Sequence, residues 1–220
     1  MNSLKQNWKV YSMEAICLGL FMISASLFGT LLEYPDSPVH RAIGNDFVRT
    51  VMMGLAMGLT ATFIIYSPMG RLSGAHMNPA VSFTFVRLGK MKMTDAIYYA
   101  VFQIGGGILA VLLMKVLLGS AFENEHVNYV ITAPGKYGVL PAFLMEVVIA
   151  FGMMTMVLIT SNHATLSKYT GAIAGLFVMS YVIISGPVSG FGMNPARTLA
   201  SAVPAMQYPS LWIYLTAPFI

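Results

Sequence analysis

The chain has 220 residues, of which 57% are apolar and only 9% carry charge. A soluble domain carries about a quarter charged residues, so this composition excludes a water-exposed globular surface and points to lipid as the main solvent. The distribution of the charges says more than their net +4, and no nucleic-acid partner is expected.

Lys5 and Lys9 precede a first apolar run at 12–32. A signal peptide also begins with charge before an apolar stretch. This run lacks a clean small-x-small cleavage site and more spans follow, so it reads as an uncleaved transmembrane helix. Cys17 lies inside it; one thiol makes no internal disulfide and completes no zinc pattern, so it is expected to be a packed small residue. Four further runs lie at 48–66, 96–118, 138–160 and 170–187, near the about 20 residues that a span needs. A sixth starts near Leu211 and stops at Ile220. Ten residues rise only about 15 Å against about 30 Å of hydrocarbon, so the sequence is expected to be truncated inside its sixth helix. The methionines are scattered over every span and read as packing residues rather than a cofactor box.

Two shorter apolar stretches remain, each opening on an Asn-Pro-Ala: Asn78-Pro79-Ala80 and Asn194-Pro195-Ala196. Asn is a favoured helix cap and Pro suits the first helical turn. At about ten residues neither can span, so both read as re-entrant half-helices.

Lysine and arginine give the orientation. The N-terminus and the segments between spans two and three and between four and five hold Lys5, Lys9, Arg71, Arg87, Lys90, Lys92 and Lys168; the opposite side holds Arg41, Arg49, Lys115 and Lys136 among five acidic residues. Both termini are expected to be cytoplasmic once a sixth span is complete.

The chain also repeats itself. SGAHMNPAV at 73–81 matches SGFGMNPAR at 189–197 at six of nine positions. Gly54 and Gly58 form a GxxxG pair upstream of the first box, and Gly171 and Gly175 form another upstream of the second. Glu14 and Glu146 each sit near the start of an apolar span. The repeats, about 10–118 and 138–220, each hold three spans, an odd number, so they insert with opposite topology, as broken-helix transporters do. Small residues at four-residue spacing allow close approach, so spans two and five are expected to cross.

Paired Asn-Pro-Ala boxes within inverted hydrophobic halves resemble the major intrinsic protein family, the aquaporins and glycerol facilitators, over essentially the whole chain. The resemblance implies an all-α membrane protein: a right-handed bundle of six transmembrane helices plus two half-helices. It implies a single channel domain over 1–220, with one pore per subunit, usually as a homotetramer in the plasma (cell inner) membrane. The expected function is passive passage of water, with glycerol or another small neutral solute as the alternative main cargo.

Non-helical backbone at membrane depth is tolerated where it lines a wet cavity. The resemblance gives that role to the carbonyls of Gly74, Ala75, His76 and Met77, and of Gly190, Phe191, Gly192 and Met193. Two helix N-termini would face each other at the centre, each with about half a positive charge, and Asn78 and Asn194 would add amide donors. Read blandly, both are only caps. Arg197 stands where the first repeat has Val81; an arginine at that depth is a functional candidate by default, its alternative being to snorkel to the headgroups. The family places an aromatic and arginine constriction here. Carried over, it comprises Phe191, Val182, Arg197 and a span-two residue, Met57 by alignment on the glycines or Gly58 by counting back from Asn78. An extra residue in the loop before the first box favours Met57.

The set departs from both family patterns. Water channels usually carry a histidine where Val182 lies and an aromatic in span two, and glycerol channels an aspartate where Thr198 follows Arg197. Ala202, Trp212 and Tyr214 resemble the water channels, Phe191 and Leu215 the glycerol facilitators. Glu14 and Glu146 are costly in lipid unless partnered; the family uses them to accept hydrogen bonds from the loops, and a proton relay is the rival. His76 is expected to be a packed loop residue, with a pH gate as its alternative.

An ion-coupled secondary transporter is the rival class, for which Glu14 and Glu146 are the candidate acids. No nucleophilic set, metal cluster or phosphate loop marks an enzyme, and neither metal nor cofactor is expected.

Overall fold

The computed structural model describes residues 2–220. In chain order its helices are α1 (Asn2–Glu33), α2 (Pro38–Ala42), α3 (Asp46–Tyr66), α4 (Pro68–Ser73), α5 (Pro79–Arg87) and α6 (Met93–Leu118), followed by α7 (Ser120–Glu123), α8 (Val139–Ser161), α9 (Thr170–Ser189), α10 (Pro195–Ala205) and α11 (Leu211–Thr216). Three short 3-10 turns sit at Asn128–Val130, Ser167–Tyr169 and Ala217–Phe219. Among the described residues α1, α3, α6, α8 and α9 carry the five segments long and apolar enough to cross a bilayer. The protein is therefore a multi-pass membrane protein. Exposed Phe63, Val116, Phe151 and Ile184 present side chains that hydrocarbon solvates and water would not.

The five spans fall where the apolar runs place them, and the two half-helices start at Pro79 and Pro195 as the boxes require. The two halves differ in how they reach the box. In the first, α3 stops at Ser67, whose hydroxyl caps the short α4 by accepting from Gly70 N (3.1 Å). In the second, α9 runs on through Pro187 without a break. Gly58 precedes Gly74 by 16 residues and Gly175 precedes Gly190 by 15, while each of those two loop glycines precedes its asparagine by four. The extra residue of the first half thus lies upstream of Gly74, where the Ser67–Pro68 break takes it up, and not in the loop next to the box.

Spans two and five cross where the glycine pairs predict. A Cβ built on Gly58 would lie 2.6 Å from the Gly175 carbonyl oxygen, and one on Gly175 would lie 2.5 Å from the Gly58 carbonyl oxygen. Neither helix can carry a side chain at that point without separating. Gly58→Val is expected to destabilise the protein by about 1–3 kcal/mol through overpacking, read as a lowered unfolding temperature in detergent. Gly105→Val, where an added Cβ meets nothing within 4 Å, should leave that temperature within about a degree or two.

The long connection from α6 to α8 crosses the end of the bundle opposite Arg71, Arg87 and Lys168. The Tyr129 hydroxyl donates to Glu123 Oε1 (2.8 Å) and Lys115 Nζ lies 3.1 Å from the same oxygen. Together they hold the Glu123 carboxyl below the ordinary carboxylate range. The segment then runs along α9 and α10, with Gly135 N donating to Val188 O (2.9 Å) and Thr132 Oγ1 to Thr198 Oγ1 (3.0 Å).

Candidate pore

Each Asn-Pro-Ala box is first a helix start. Asn78 Oδ1 accepts from Ala80 N (2.9 Å), and Asn194 Oδ1 accepts from Ala196 N (3.0 Å) and Arg197 N (3.3 Å). Pro79 and Pro195 occupy the first helical turn, where a missing N–H costs nothing. The other end of each amide reaches across the molecule. Asn78 Nδ2 donates to Met193 O (2.9 Å), and Asn194 Nδ2 donates to Met77 O (2.6 Å). The two half-helices therefore meet tip to tip, each asparagine capping its own helix and fastening the opposite loop. An amide NH2 has two hydrogens; these bonds use one from each, leaving one from each to the space between the tips. Capping and donation are one arrangement here, not rivals.

The loops before the boxes share one conformation. Gly74, Ala75 and Met77 have φ of 86°, 49° and 49°; Gly190, Phe191 and Met193 have 76°, 50° and 49°. Left-handed backbone is uncommon outside glycine, and it recurs here at matched positions in both halves. It is held by two buried carboxylates. Glu14 accepts from His76 N (3.0 Å), Met77 N (2.6 Å) and Gln103 Nε2 (2.7 Å). Glu146 accepts from Ser189 Oγ (2.6 Å), Gly192 N (2.8 Å) and Met193 N. Both glutamates are fully buried and both face loop donors.

A second pair of supports was not foreseen. The hydroxyls of Tyr99 and Tyr214 donate to the carbonyls of Ser73 and Ser189, at 2.7 Å in each case. Tyr99 follows its carbonyl partner by 26 residues and Tyr214 by 25, a repeat correspondence visible in the sequence once the boxes are aligned.

A cavity of about 400 Å³ runs past the tips. Gly74, Ala75, His76 and Met77 line one stretch of it, and Phe191, Gly192, Met193, both asparagines and Arg197 another. Toward one end its wall is Ile65, Phe85, Ser161 and Thr170. Gly190 does not line it. Of the expected constriction residues, Phe191 and Arg197 are on its wall; Ala61 and Val178, one helical turn from Met57 and Val182, line it as well. Met57 and Val182 belong to the buried apolar cluster that also holds Ala61 and Val178, and Phe191 packs against it. Arg197 does not snorkel: its Nη1 is buried and has no hydrogen-bond partner among the described residues.

His76 is packed as expected, its ring stacked on Phe85 (4.8 Å between centroids) and its Nδ1 3.0 Å from Ser82 Oγ. Much of the wall went unread: Ala61 with Ile65, Met153 with Val157 and Ser161, Thr170 with Ala174 and Val178. Each set has four-residue spacing, one helix face. In helices apolar all round, that spacing does not separate a cavity face from a lipid face.

Inverted halves, crossed glycine helices and two capped half-helices joined at their tips define a polytopic membrane protein of aquaporin architecture. The sequence pattern described as major intrinsic protein matches residues 1–220, and the chain belongs to that family. It is 37% identical over 209 residues to aquaporin NIP2-2 of Zea mays, covering 92% of this chain and 68% of that protein. It is 35% identical over 175 residues to aquaporin NIP1-2 of Arabidopsis thaliana, covering 76% of this chain and 58% of that one. The fold is that of the aquaglyceroporin from Plasmodium falciparum, with TM-score 0.76 at 21% identity over 95% of this chain and 91% of the other. The chain thus spans under two thirds of the length of the Arabidopsis relative.

Proposed function

We propose that the whole chain, 1–220, is a single channel domain that passes water and small uncharged solutes passively. The observation that carries this is the tip-to-tip junction of α5 and α10, with Asn78, Asn194 and Arg197 on the wall of one cavity. Both helix N-termini point at that junction, so it is electropositive. A water there donates outward and accepts from the free amide hydrogens, which interrupts a proton wire, and cations are repelled. Arg197 adds its fixed positive charge to the same wall.

Loop backbone on one side and Ala61, Ala174, Val178 and Phe191 on the other make an amphipathic passage, suited to water and to polyols with hydroxyls on one edge and carbon on the other. The names of the relatives (aquaporin) and of the structural neighbour (aquaglyceroporin) agree with that solute range. An ion-coupled transporter needs a carboxylate free to take the coupling ion. Glu14 and Glu146 are both engaged by loop N–H groups, which supports a passive channel over a transporter or an enzyme. The lysine and arginine asymmetry supports cytoplasmic termini, and the family supports a homotetramer in the plasma membrane.

Proteoliposomes containing the protein, shocked with sucrose and then with glycerol, give the test by stopped-flow light scattering. Shrinkage well faster than that of empty vesicles is expected, without added proton leak. Rates equal to those of empty vesicles would remove the channel reading.

A further inference from the structure

Sulfur meets the passage at three places. Met77 and Met193 stand directly before the two asparagines, Met153 comes from α8, and all three line the cavity. Among the described residues no other sulfur does. Cys17 is fully buried away from that wall. Met57 and Met156 are buried in the cluster to which Met153 belongs, where their Sδ atoms face the hydroxyls of Ser24 (3.9 Å) and Thr160 (3.6 Å) instead.

The wall at this point is thin. A second cavity, of about 30 Å³, lies beside the first. Met153 and Met193, with Asn78 and Val81, line both. That volume takes a water-sized molecule, so these two thioethers are open to approach from either side, and an unbranched methionine has the rotatable bonds to use the space.

A thioether is inert to water and to polyols, but it reduces peroxides. Hydrogen peroxide has hydroxyl groups and a size close to that of water, so it can follow water to the tips. A sulfur lone pair attacks one peroxide oxygen, the O–O bond breaks and an S–O bond forms. The sulfur is oxidised by two electrons and the peroxide is reduced. The departing hydroxide takes the proton of the transferred oxygen and leaves as water. The product is methionine sulfoxide, which is polar where the thioether was apolar.

The position gives that product an effect. A thioether sulfur is a weak acceptor, whereas the sulfoxide oxygen carries partial negative charge. Asn78 and Asn194 each leave one amide hydrogen to the passage, and the two helix tips make the junction electropositive. The new oxygen accepts those hydrogens, takes the place of the permeating water and narrows the file. We propose that Met77, Met153 and Met193 form a sulfoxidation site, at which small hydroperoxides that enter the passage shut it to water. The proposal rests on the channel reading above.

Proteoliposomes treated with hydrogen peroxide and quenched with catalase give the test. Mass spectrometry of peptides locates the added oxygen, and stopped-flow scattering reads water flux, each protein against its own untreated sample. Oxygen on the three methionines and an about fivefold loss of flux are expected for the parent, the scale of one net hydrogen bond gained at the junction. The triple variant Met77→Leu, Met153→Leu, Met193→Leu should hold its own untreated rate. tert-Butyl hydroperoxide, too bulky to follow water, should oxidise Met206, which is 81% exposed, and leave parental flux unchanged. Should the triple variant fail to give a monodisperse peak, the single leucine variants decide, at least one of them losing less flux than the parent. Unmoved parental flux with the three methionines oxidised overturns the proposal and leaves the channel reading intact. So does oxygen on Met206 with none on these three, or a loss in the leucine variants equal to that of the parent. An untreated parent no faster than empty vesicles overturns both readings.

Discussion

Arg197→Val should open the passage to larger neutral solutes and to protons while leaving the half-helix in place. Arg197 N, not its side chain, accepts the cap by donating to Asn194 Oδ1, so the start of α10 survives the substitution. Valine is also the residue at the matching position of the first half, Val81, which lines the same cavity beside an equally well-formed α5. What is lost is a guanidinium on the cavity wall whose buried Nη1 has no partner among the described residues. A unit charge passing about 5 Å from it, at an effective dielectric of about 20, is repelled by about 3 kcal/mol, which is about a hundredfold in rate. The facing helix tips remain, so up to about a hundredfold more cation or proton leak is expected, together with a raised glycerol-to-water ratio. Vesicle-trapped pH dye and stopped-flow scattering read the two. If both permeabilities equal those of the parent, Arg197 is not part of the filter.

Arg197 was legible in the sequence because it stands opposite a valine, one of three mismatches between two boxes that agree at six of nine positions. The parts legible in advance share this property of repetition. Two boxes located both half-helices, two GxxxG pairs located the crossing of α3 and α9, and two acids at span starts located the loop supports. What was not legible comes from places where repetition fails or where every face looks alike. The Ser67–Pro68 break is an insertion in one half only, and its effect on register shows only once α4 is seen. The turn Asn128–Val130 lies on a connection with no counterpart in the repeat, and three successive left-handed residues that include no glycine leave no signal in composition. The partners of Glu14 and Glu146 depend on loop N–H groups brought in from 46 to 63 residues away.

The loop carboxylates carry the largest expected effect on stability. Glu146→Ala removes both acceptors of the second loop and leaves the Gly192 and Met193 N–H groups unpaired in a buried site, while the Ser189 hydroxyl keeps Ser185 O as its acceptor. Each orphaned donor costs about 1–3 kcal/mol, a large share of the about 5–15 kcal/mol that holds a typical fold. Loss of monodisperse protein, and of water flux in whatever survives, is the expected result. The glutamine variants keep one acceptor at each site. In Glu146→Gln the Ser189 hydroxyl can turn its hydrogen to Ser185 O and accept from the new NH2, so only one loop donor is lost. At the other site Gln103 Nε2 bonds Glu14 Oε2, while Gln103 Oε1 is buried and has no partner among the described residues. In Glu14→Gln the Gln103 amide can turn over and accept from the new NH2, so again only one loop donor is lost. Both glutamine variants should therefore retain more folded protein and more flux than Glu146→Ala, by about 1–3 kcal/mol in unfolding free energy. Thermal unfolding in detergent, alongside flux at matched protein density, ranks them. Glutamine variants no more stable than Glu146→Ala would mean that these partners do not rearrange, and a fully stable Glu146→Ala would mean that the left-handed loop before α10 holds itself.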